Sequence, residues 1–383
     1  MSPELPEGDL NRLVASSGIR RIHVLSWRDL EDPEAGGSEV YVHEVASRWA
    51  AAGLAVSIRT SAIPGGNETT ARDGYEVVRR SGRYQVFPQA VLDELTRRQG
   101  PRDALVEVWN GVPFLSPLWA RKPRIVVQHH DHGALWPIVI ASPFLARAGW
   151  IFEHRLAPLC YKDTPIVTLS PSSKAELVAN LGHAAEQIHV IPPGINPRYR
   201  PGGFRAEDPT VLSVGRLTAP KRLDVLLRAL KVAREHRPGL RMEVVGSGPE
   251  SGSLLELVKS LELATAVEFL GRIGDGDLVH AYQRARVVAS ASMSEGWGMT
   301  LTEGAACGTP GIATDIPGHR DAIDDGRSGL LAATDADLPN LMLEACGPRW
   351  DGLSAGALSL SRLFDWDRTA TEVFRVLAST VSS

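Results

Sequence analysis

The 383-residue sequence is poor in the features that mark specialised protein classes. It holds three cysteines, Cys160, Cys307 and Cys346. Their spacing fits neither a disulfide framework nor a structural metal site, so free thiols in a reducing compartment are expected. No uninterrupted apolar run reaches roughly 18 residues, which excludes a spanning helix. The first 20 residues are polar and lack the apolar stretch of a secretory leader, so a cytoplasmic location is expected. No sign of charge dominates: 41 basic side chains face 45 acidic ones, for a net charge of -4. Through residue 200 the count is 22 basic to 21 acidic, and beyond it 19 to 24. Neither half carries the basic surface that nucleic acid requires. Internal repeats and long low-complexity stretches are also absent.

What is present is a soluble, globular composition, 43% hydrophobic and 22% charged, in a chain long enough for two domains. Short apolar runs alternate with helical patterns. In the first half the runs are IHVLS (22–26), AVSIR (55–59), ALVEVW (104–109), RIVVQ (124–128), PIVTL (165–169) and QIHVI (187–191). In the second half they are TVLSVG (210–215), RMEVVG (241–246), AVEFLG (266–271), RVVASA (286–291) and PGIAT (310–314). Runs rich in Val and Ile between helices predict parallel sheets covered on both faces, in two doubly wound α/β units. The Pro- and Gly-rich stretch IPPGINPRYRPGGF (191–204) reads as the linker. The expected domains are therefore 1–195 and 196–364. The final segment, 365–383, reads as an amphipathic helix with apolar positions 366, 370, 373, 374 and 377, expected to pack back on the first domain.

The most informative stretch is SEGWGMTLTEGAAC (294–307). It predicts a glycine turn after a buried strand, then a helix from Met299. Amide N–H groups at a helix start have no intrahelical partner and, with the helix dipole, favour phosphate. Glu295 and Glu303 bracket this start. A carboxylate beside a phosphate is repulsive, so these two should face neutral hydroxyl groups on either side of it. A nucleotide-sugar has that order of parts. The bland alternative is a solvated Glu295 and a Glu303 that complements the dipole.

Four other stretches bear on chemistry. In VLSVGRLTAPKRLD (211–224), Arg216 and Lys221 flank a loop at a strand's carboxyl end and suit a diphosphate. In GGSEVYVHEV (36–45), Gly36 and Gly37 open a helix with Ser38 as the expected N-cap. In RIVVQHHDHG (124–133), His129 and His130 follow a strand. They have no i, i+4 partner, so one histidine aimed at a ligand is favoured over a metal site. The stretch 134–152 carries no charge until Arg147 and is read as core or as a peripheral membrane contact at the inner face. A competing dinucleotide fingerprint in VVGSGPESG (244–252) is off by one residue at its third glycine, so a nicotinamide cofactor is not expected.

Together these motifs resemble the retaining, GT-B-type glycosyltransferases of family 4, also called group 1. The similarity runs from VGRLTAPKRLDVLLRAL through VVGSGPE, VEFLGRI and SEGWGMTLTEGAACGTPGIATDIPG, and Glu295 and Glu303 match the family's E-x7-E spacing. The resemblance implies two Rossmann-like domains facing a central crevice. It implies transfer of a hexose, mannose or glucose, from a nucleoside diphosphate sugar to a hydroxyl of a sugar, lipid or small molecule. His130, Arg216, Lys221 and Glu295 would act in catalysis. Gly36, Gly37, His129, Gly246, Ile273, Gly296, Trp297, Gly298, Met299, Thr300 and Glu303 would hold the donor, with Glu303 on the ribose. No metal and no cofactor beyond the donor is implied, because cationic side chains and helix ends can carry the leaving group's charge. The chain departs from the family at Arg222, where glycine is frequent, at Trp297, where Phe or Tyr is frequent, and at Asp321, where Glu is frequent. A non-hydrolysing nucleotide-sugar epimerase and a non-catalytic sugar-nucleotide-binding subunit are the alternatives.

Overall fold

A computed structural model of the chain describes residues 9–133, 136–139 and 142–381. Residues 134, 135, 140 and 141 of the 134–152 stretch lie outside the described residues, as do 382 and 383 of the final segment. The chain divides into two compact units, 1–194 with 366–383, and 195–365.

Unit 1 is built on an eight-stranded sheet. Its strands are β1 (Arg21–Leu25), β2 (Ala55–Thr60), β3 (Thr69–Arg72), β4 (Tyr75–Arg79), β5 (Ala104–Trp109), β6 (Arg124–Gln128), β7 (Ile166–Thr168) and β8 (Ile188–Val190). They lie in the order β3-β4-β2-β1-β5-β6-β7-β8. All pairs are parallel except β3 with β4. Unit 2 has a six-stranded, all-parallel sheet of β9 (Thr210–Val214), β10 (Arg241–Val245), β11 (Val267–Gly271), β12 (Val287–Ser290), β13 (Gly311–Thr314) and β14 (Gly329–Ala332). Its order is β11-β10-β9-β12-β13-β14.

Every apolar run read as a strand forms one. The sequence reading missed β3, β4 and β14. The β3–β4 hairpin turns on Asp73-Gly74, both at positive φ (44° and 85°). Asp-Gly is the pair that a two-residue hairpin turn favours, because both positions need left-handed backbone. TTAR has no apolar run, which hid β3, whereas YEVVR buries Tyr75, Val77 and Val78 and was passed over. β14 (GLLA) is a single short apolar run that the sequence reading passed over.

Strand β5 is buried at all six positions, and one of them is Glu107. Its carboxylate accepts hydrogen bonds from the Phe114 amide at 2.6 Å, the Ser116 amide at 3.1 Å and the Tyr161 hydroxyl at 2.6 Å. Burial pushes its carboxyl above the usual range. A fully buried acid survives there because its lone pairs are used.

The helix Gly37–Ala51 starts differently from expectation. Gly36 is the N-cap, not Ser38, and the Gly36 amide donates to Glu39 Oε2 at 2.7 Å. Ser38 therefore lies inside the first turn, and Glu39 reaches back to the N-cap amide from within the helix. The last helix, Trp366–Ser379, packs within unit 1 against the helices Gly37–Ala51 and Asp9–Ser17. Trp366, Ala370, Val373, Phe374 and Leu377 are all buried. Trp49 Nε1 donates to the Ala370 carbonyl at 2.9 Å, and the Thr369 hydroxyl to the Pro192 carbonyl at 2.8 Å.

In unit 2 the helix Leu223–His236 places Leu226, Leu227, Leu230 and Ala233 on the sheet. Val211, Met242, Val287 and Ile312 supply the facing layer. Each such aliphatic burial contributes about 1.5–3 kcal/mol. This core fixes the strand ends from which the loops described next emerge.

Candidate functional site

The carboxyl ends of β9 and β12 in unit 2 share one cleft, lined by Gly215, Arg216, Lys221, Ser290, Ser292, Glu295 and Thr300 among others. Arg216 follows β9 directly. Lys221 closes the short 3-10 turn Ala219–Lys221. After β12 the chain turns through residues 291–298, and helix Met299–Ala306 begins with Gly298 as N-cap at φ 117°. No side chain caps this helix. A side chain at position 298 would be strained by that φ, and a Cβ there would lie 3.1 Å from Leu301 Cδ1. Glycine is thus what brings bare backbone to the cleft.

Glu295 is paired with Lys221 and accepts a hydrogen bond from the Ser292 hydroxyl at 2.8 Å. Burial alone would raise its carboxyl. The charge of Lys221, the nearby His319 and the hydrogen bonds from Lys221 and Ser292 outweigh burial and hold it below the usual range. The ionised form is therefore the resting one. His319 lies beneath, fully buried. Its Nδ1 donates to the Thr314 carbonyl at 2.8 Å, so its Nε2 is the atom facing the Ser290 hydroxyl, at 3.1 Å.

Glu303 lies one helical turn further on. The Tyr282 hydroxyl donates to its Oε2 at 2.7 Å, and Tyr199 also hydrogen-bonds to it. The two rings meet edge to face at 5.6 Å. Burial pushes the Glu303 carboxyl up to about 7, against the lowering pull of Tyr282 and of Arg198. The surroundings thus push the two carboxyls in opposite directions, Glu295 down and Glu303 up.

The other residues anticipated from sequence fall in several places. Trp297 is buried, its ring edge-on to Phe364 at 5.0 Å, and its Nε1 has no hydrogen-bond partner. Gly296 is buried, while Met299 and Thr300 are partly exposed. Gly246 lies at the end of β10, where a Cβ would come within 1.8 Å of the Gly215 carbonyl oxygen. That crowding, rather than the cleft lining, accounts for glycine there. Ile273 is half-buried in the loop after β11.

In unit 1, Gly36 is half-buried and Gly37 exposed at their helix start. His129 is buried under the end of β6, with Tyr41 edge-on at 5.4 Å, and burial lowers its imidazole to about 3. His130 is partly exposed and stacks on His132 at 4.3 Å. Ser292, His319, Tyr199 and Tyr282 escaped the sequence reading. Ser292 had a signal, a hydroxyl three residues before Glu295. The others meet their acids only through the fold.

Comparison with known proteins agrees with this picture. Residues 35–199 match the model of Glycosyltransferase Family 4, and residues 198–341 that of Glycosyl transferases group 1. The D-inositol 3-phosphate glycosyltransferase of Actinosynnema mirum is 37% identical, over 92% of this chain and 95% of its own. Sucrose-phosphate synthase from Thermosynechococcus elongatus superposes with a TM-score of 0.78 at 21% identity, over 93% of this chain and 98% of its own. Anabaena HepE, solved in complex with UDP and glucose, gives 0.72 at 18%, over 94% and 100%. With the family models spanning both units and a relative this similar over nearly its full length, the chain belongs to the group 1, family 4 glycosyltransferases and has their GT-B fold.

Proposed function

We propose that the chain is a retaining hexosyltransferase. It moves glucose or mannose from a nucleoside diphosphate sugar to an acceptor hydroxyl, with no metal in the transfer step. The observation that carries this reading is the Lys221–Glu295 pair in the cleft that Arg216 also lines, beside an uncapped helix start. Cations and bare amides suit a diphosphate, and an ionised glutamate beside them suits sugar hydroxyls.

In the proposed step, the acceptor oxygen forms a bond to the anomeric carbon on the face from which the diphosphate departs. The bond from that carbon to the phosphate oxygen breaks, and its electron pair stays on the diphosphate. The acceptor's proton passes to that same oxygen. Arg216 and Lys221 stabilise the developing charge, the kind of contact worth about 3 kcal/mol or more. Glu295 orients the sugar, and Glu303 accepts hydrogen bonds from the ribose. In unit 1, Gly36, Gly37, His129 and His130 are assigned to the same ligands by family resemblance.

Uridine and guanosine diphosphate sugars are the first donors to test, since HepE is solved with UDP and glucose. The name of the Actinosynnema mirum relative puts inositol phosphate first among acceptors. A cytoplasmic enzyme with a peripheral membrane contact through 134–152 is part of the same reading, supported by the exposure of Phe144 and Leu145. The test is a thermal-shift panel of nucleotide sugars, followed by product analysis with this acceptor, lipid acceptors and none. Transfer with the anomeric configuration kept supports the proposal. Interconversion of donor sugars without an acceptor would overturn it in favour of an epimerase.

A further inference from the structure

The stretch after β6, His129-His130-Asp131-His132-Gly133, has no metal-like spacing of its own. The fold brings a second stretch against it. The helix Pro143–Ile151 runs into a π-helical turn, Phe152–Leu156, which carries Glu153 and His154. Wide turns of this kind recur at functional sites. Glu153 is fully buried and His154 nearly so.

Hydrogen bonding fixes which atoms face inward. His154 Nδ1 lies 3.0 Å from the Trp150 carbonyl, which only accepts, so Nδ1 carries the proton. The Nε2 lone pair is left, and Nε2 lies 3.0 Å from Asp131 Oδ1. His132 Nε2 lies 2.7 Å from Asn110 Oδ1, again an acceptor. Its Nδ1 lone pair is left, 3.5 Å from Glu153 Oε1. Two lone pairs thus face two carboxylates, which is repulsive unless positive charge lies between them.

The surroundings point to one shared cation rather than two extra protons. Glu153 Oε1 is buried and has no hydrogen-bond partner, and the same holds for His132 Nδ1. The outward atoms are already held: Glu153 Oε2 accepts from Trp136 Nε1 at 2.6 Å, and Asp131 Oδ2 from Asn180 Nδ2 at 2.9 Å, while the inward Asp131 Oδ1 accepts from the Gly133 amide at 2.8 Å. Ligand atoms of Asp131, Glu153 and His154 lie within 4.8 Å of one another. Bonds of about 2.0–2.2 Å to one ion hold ligand atoms no more than roughly 4.4 Å apart, a little inside this spacing. Both imidazoles give their second nitrogen to a carbonyl oxygen, the arrangement that orients metal-binding histidines. Gly133 keeps the space open, since a Cβ there would lie 2.7 Å from His154 Nε2 and 3.2 Å from Asp131 Oδ1.

We propose that Asp131, Glu153 and His154 bind one divalent transition-metal ion of the zinc class, with His132 Nδ1 facing Glu153 beside it, and that the ion clasps the loop after β6 to the π-helical turn. Imidazole nitrogens select zinc-like ions over magnesium or calcium. The site lies within unit 1, next in sequence to His129 and His130, and the ion is given a structural part rather than one in the proposed transfer step.

The test uses the full-length, tag-free protein grown with added zinc. Metal content is measured by mass spectrometry, and chelator-stripped protein is titrated with Zn2+, Mn2+ and Mg2+ by calorimetry and thermal unfolding. One Zn2+ per chain is expected, with Tm lowered by stripping and restored by Zn2+ but not by Mg2+. Glu153→Gln and His154→Gln should lose the ion. Gly133→Ala keeps every ligand and adds one methyl at the site, and should bind Zn2+ roughly tenfold or more weakly. Absence of zinc in the purified protein, together with no saturable Zn2+ binding by stripped wild type, overturns the proposal and assigns the charge to protonated imidazoles. Equal Zn2+ affinity in wild type and all three variants overturns the placement.

Discussion

Glu295 and Glu303 sit on one loop and helix, yet the fold sets their ionisation in opposite directions. Lys221 and Ser292 hold Glu295 ionised, while burial between Tyr282 and Tyr199 brings Glu303 up to about 7. For Glu303 the consequence has a definite sign. Its folded pKa is raised, so its contribution to stability is full below the unfolded value of about 4.5 and is lost as pH rises through about 7. In the proposed role the ionised acid accepts hydrogen bonds from donor ribose, so binding runs the other way. Donor KM is expected to fall between pH 6 and 8 in wild type, and Glu303→Gln should flatten that profile at a higher KM. Glu303→Gln should also unfold at an equal or higher Tm than wild type at pH 8, because it removes the buried charge. A pH-independent KM in wild type would contradict the assignment. Lys221→Ala is expected to lower turnover by 10²-fold or more, roughly 3 kcal/mol. Glu295, Glu303, Lys221 and Arg216 were legible in the sequence because loops at strand ends leave few other tasks for charged residues. Their partners Ser292, His319, Tyr199 and Tyr282 were hidden, since hydrogen bonds across the fold leave no local spacing.

At the scale of elements, two backbone positions carry testable costs. Arg222 sits left-handed at φ 50° as N-cap of the helix Leu223–His236, and its side chain pairs with Asp335. The family's frequent glycine at this position now has a reason. A left-handed residue with a Cβ costs about 1–2 kcal/mol. Arg222→Gly gains that back, but loses an exposed ion pair worth at most about 1 kcal/mol and adds freedom to the unfolded chain. The expected net change in stability is within about 1 kcal/mol. Arg222→Val should cost about 2 kcal/mol, because a β-branched residue tolerates this conformation poorly. Gly246→Ala is a different case, since its Cβ would meet backbone at 1.8 Å. A loss of about 3 kcal/mol or more is expected by chemical denaturation. The strands were legible from their Val- and Ile-rich runs. The β3–β4 hairpin was not, although Asp73-Gly74 announces its turn, because polar TTAR masks β3 at the sheet edge and YEVVR was passed over. The N-cap at Gly36 was misplaced because Glu39 can cap from inside the helix, a choice that local propensity does not decide.

At the scale of the whole molecule, the chain returns to unit 1 after completing unit 2. Trp366, Phe374 and Leu377 bury against the helix Gly37–Ala51 and its neighbours. Ending the chain before Trp366 should therefore raise hydrogen exchange along Gly37–Ala51 while unit 2 keeps its protection. The amphipathic pattern of the last helix was plain in the sequence, whereas its destination depended on long-range packing. The central claim is that the unit 2 cleft releases a nucleoside diphosphate as a hexose passes to an acceptor. The direct measurement is nucleoside diphosphate release from UDP-glucose and GDP-mannose, with and without the acceptor panel, in wild type, Lys221→Ala and Glu303→Ala. Acceptor-dependent release by wild type and a loss of 10²-fold or more in both variants is the predicted result. Unchanged release in either variant, or no release from any donor–acceptor pair, would contradict the account.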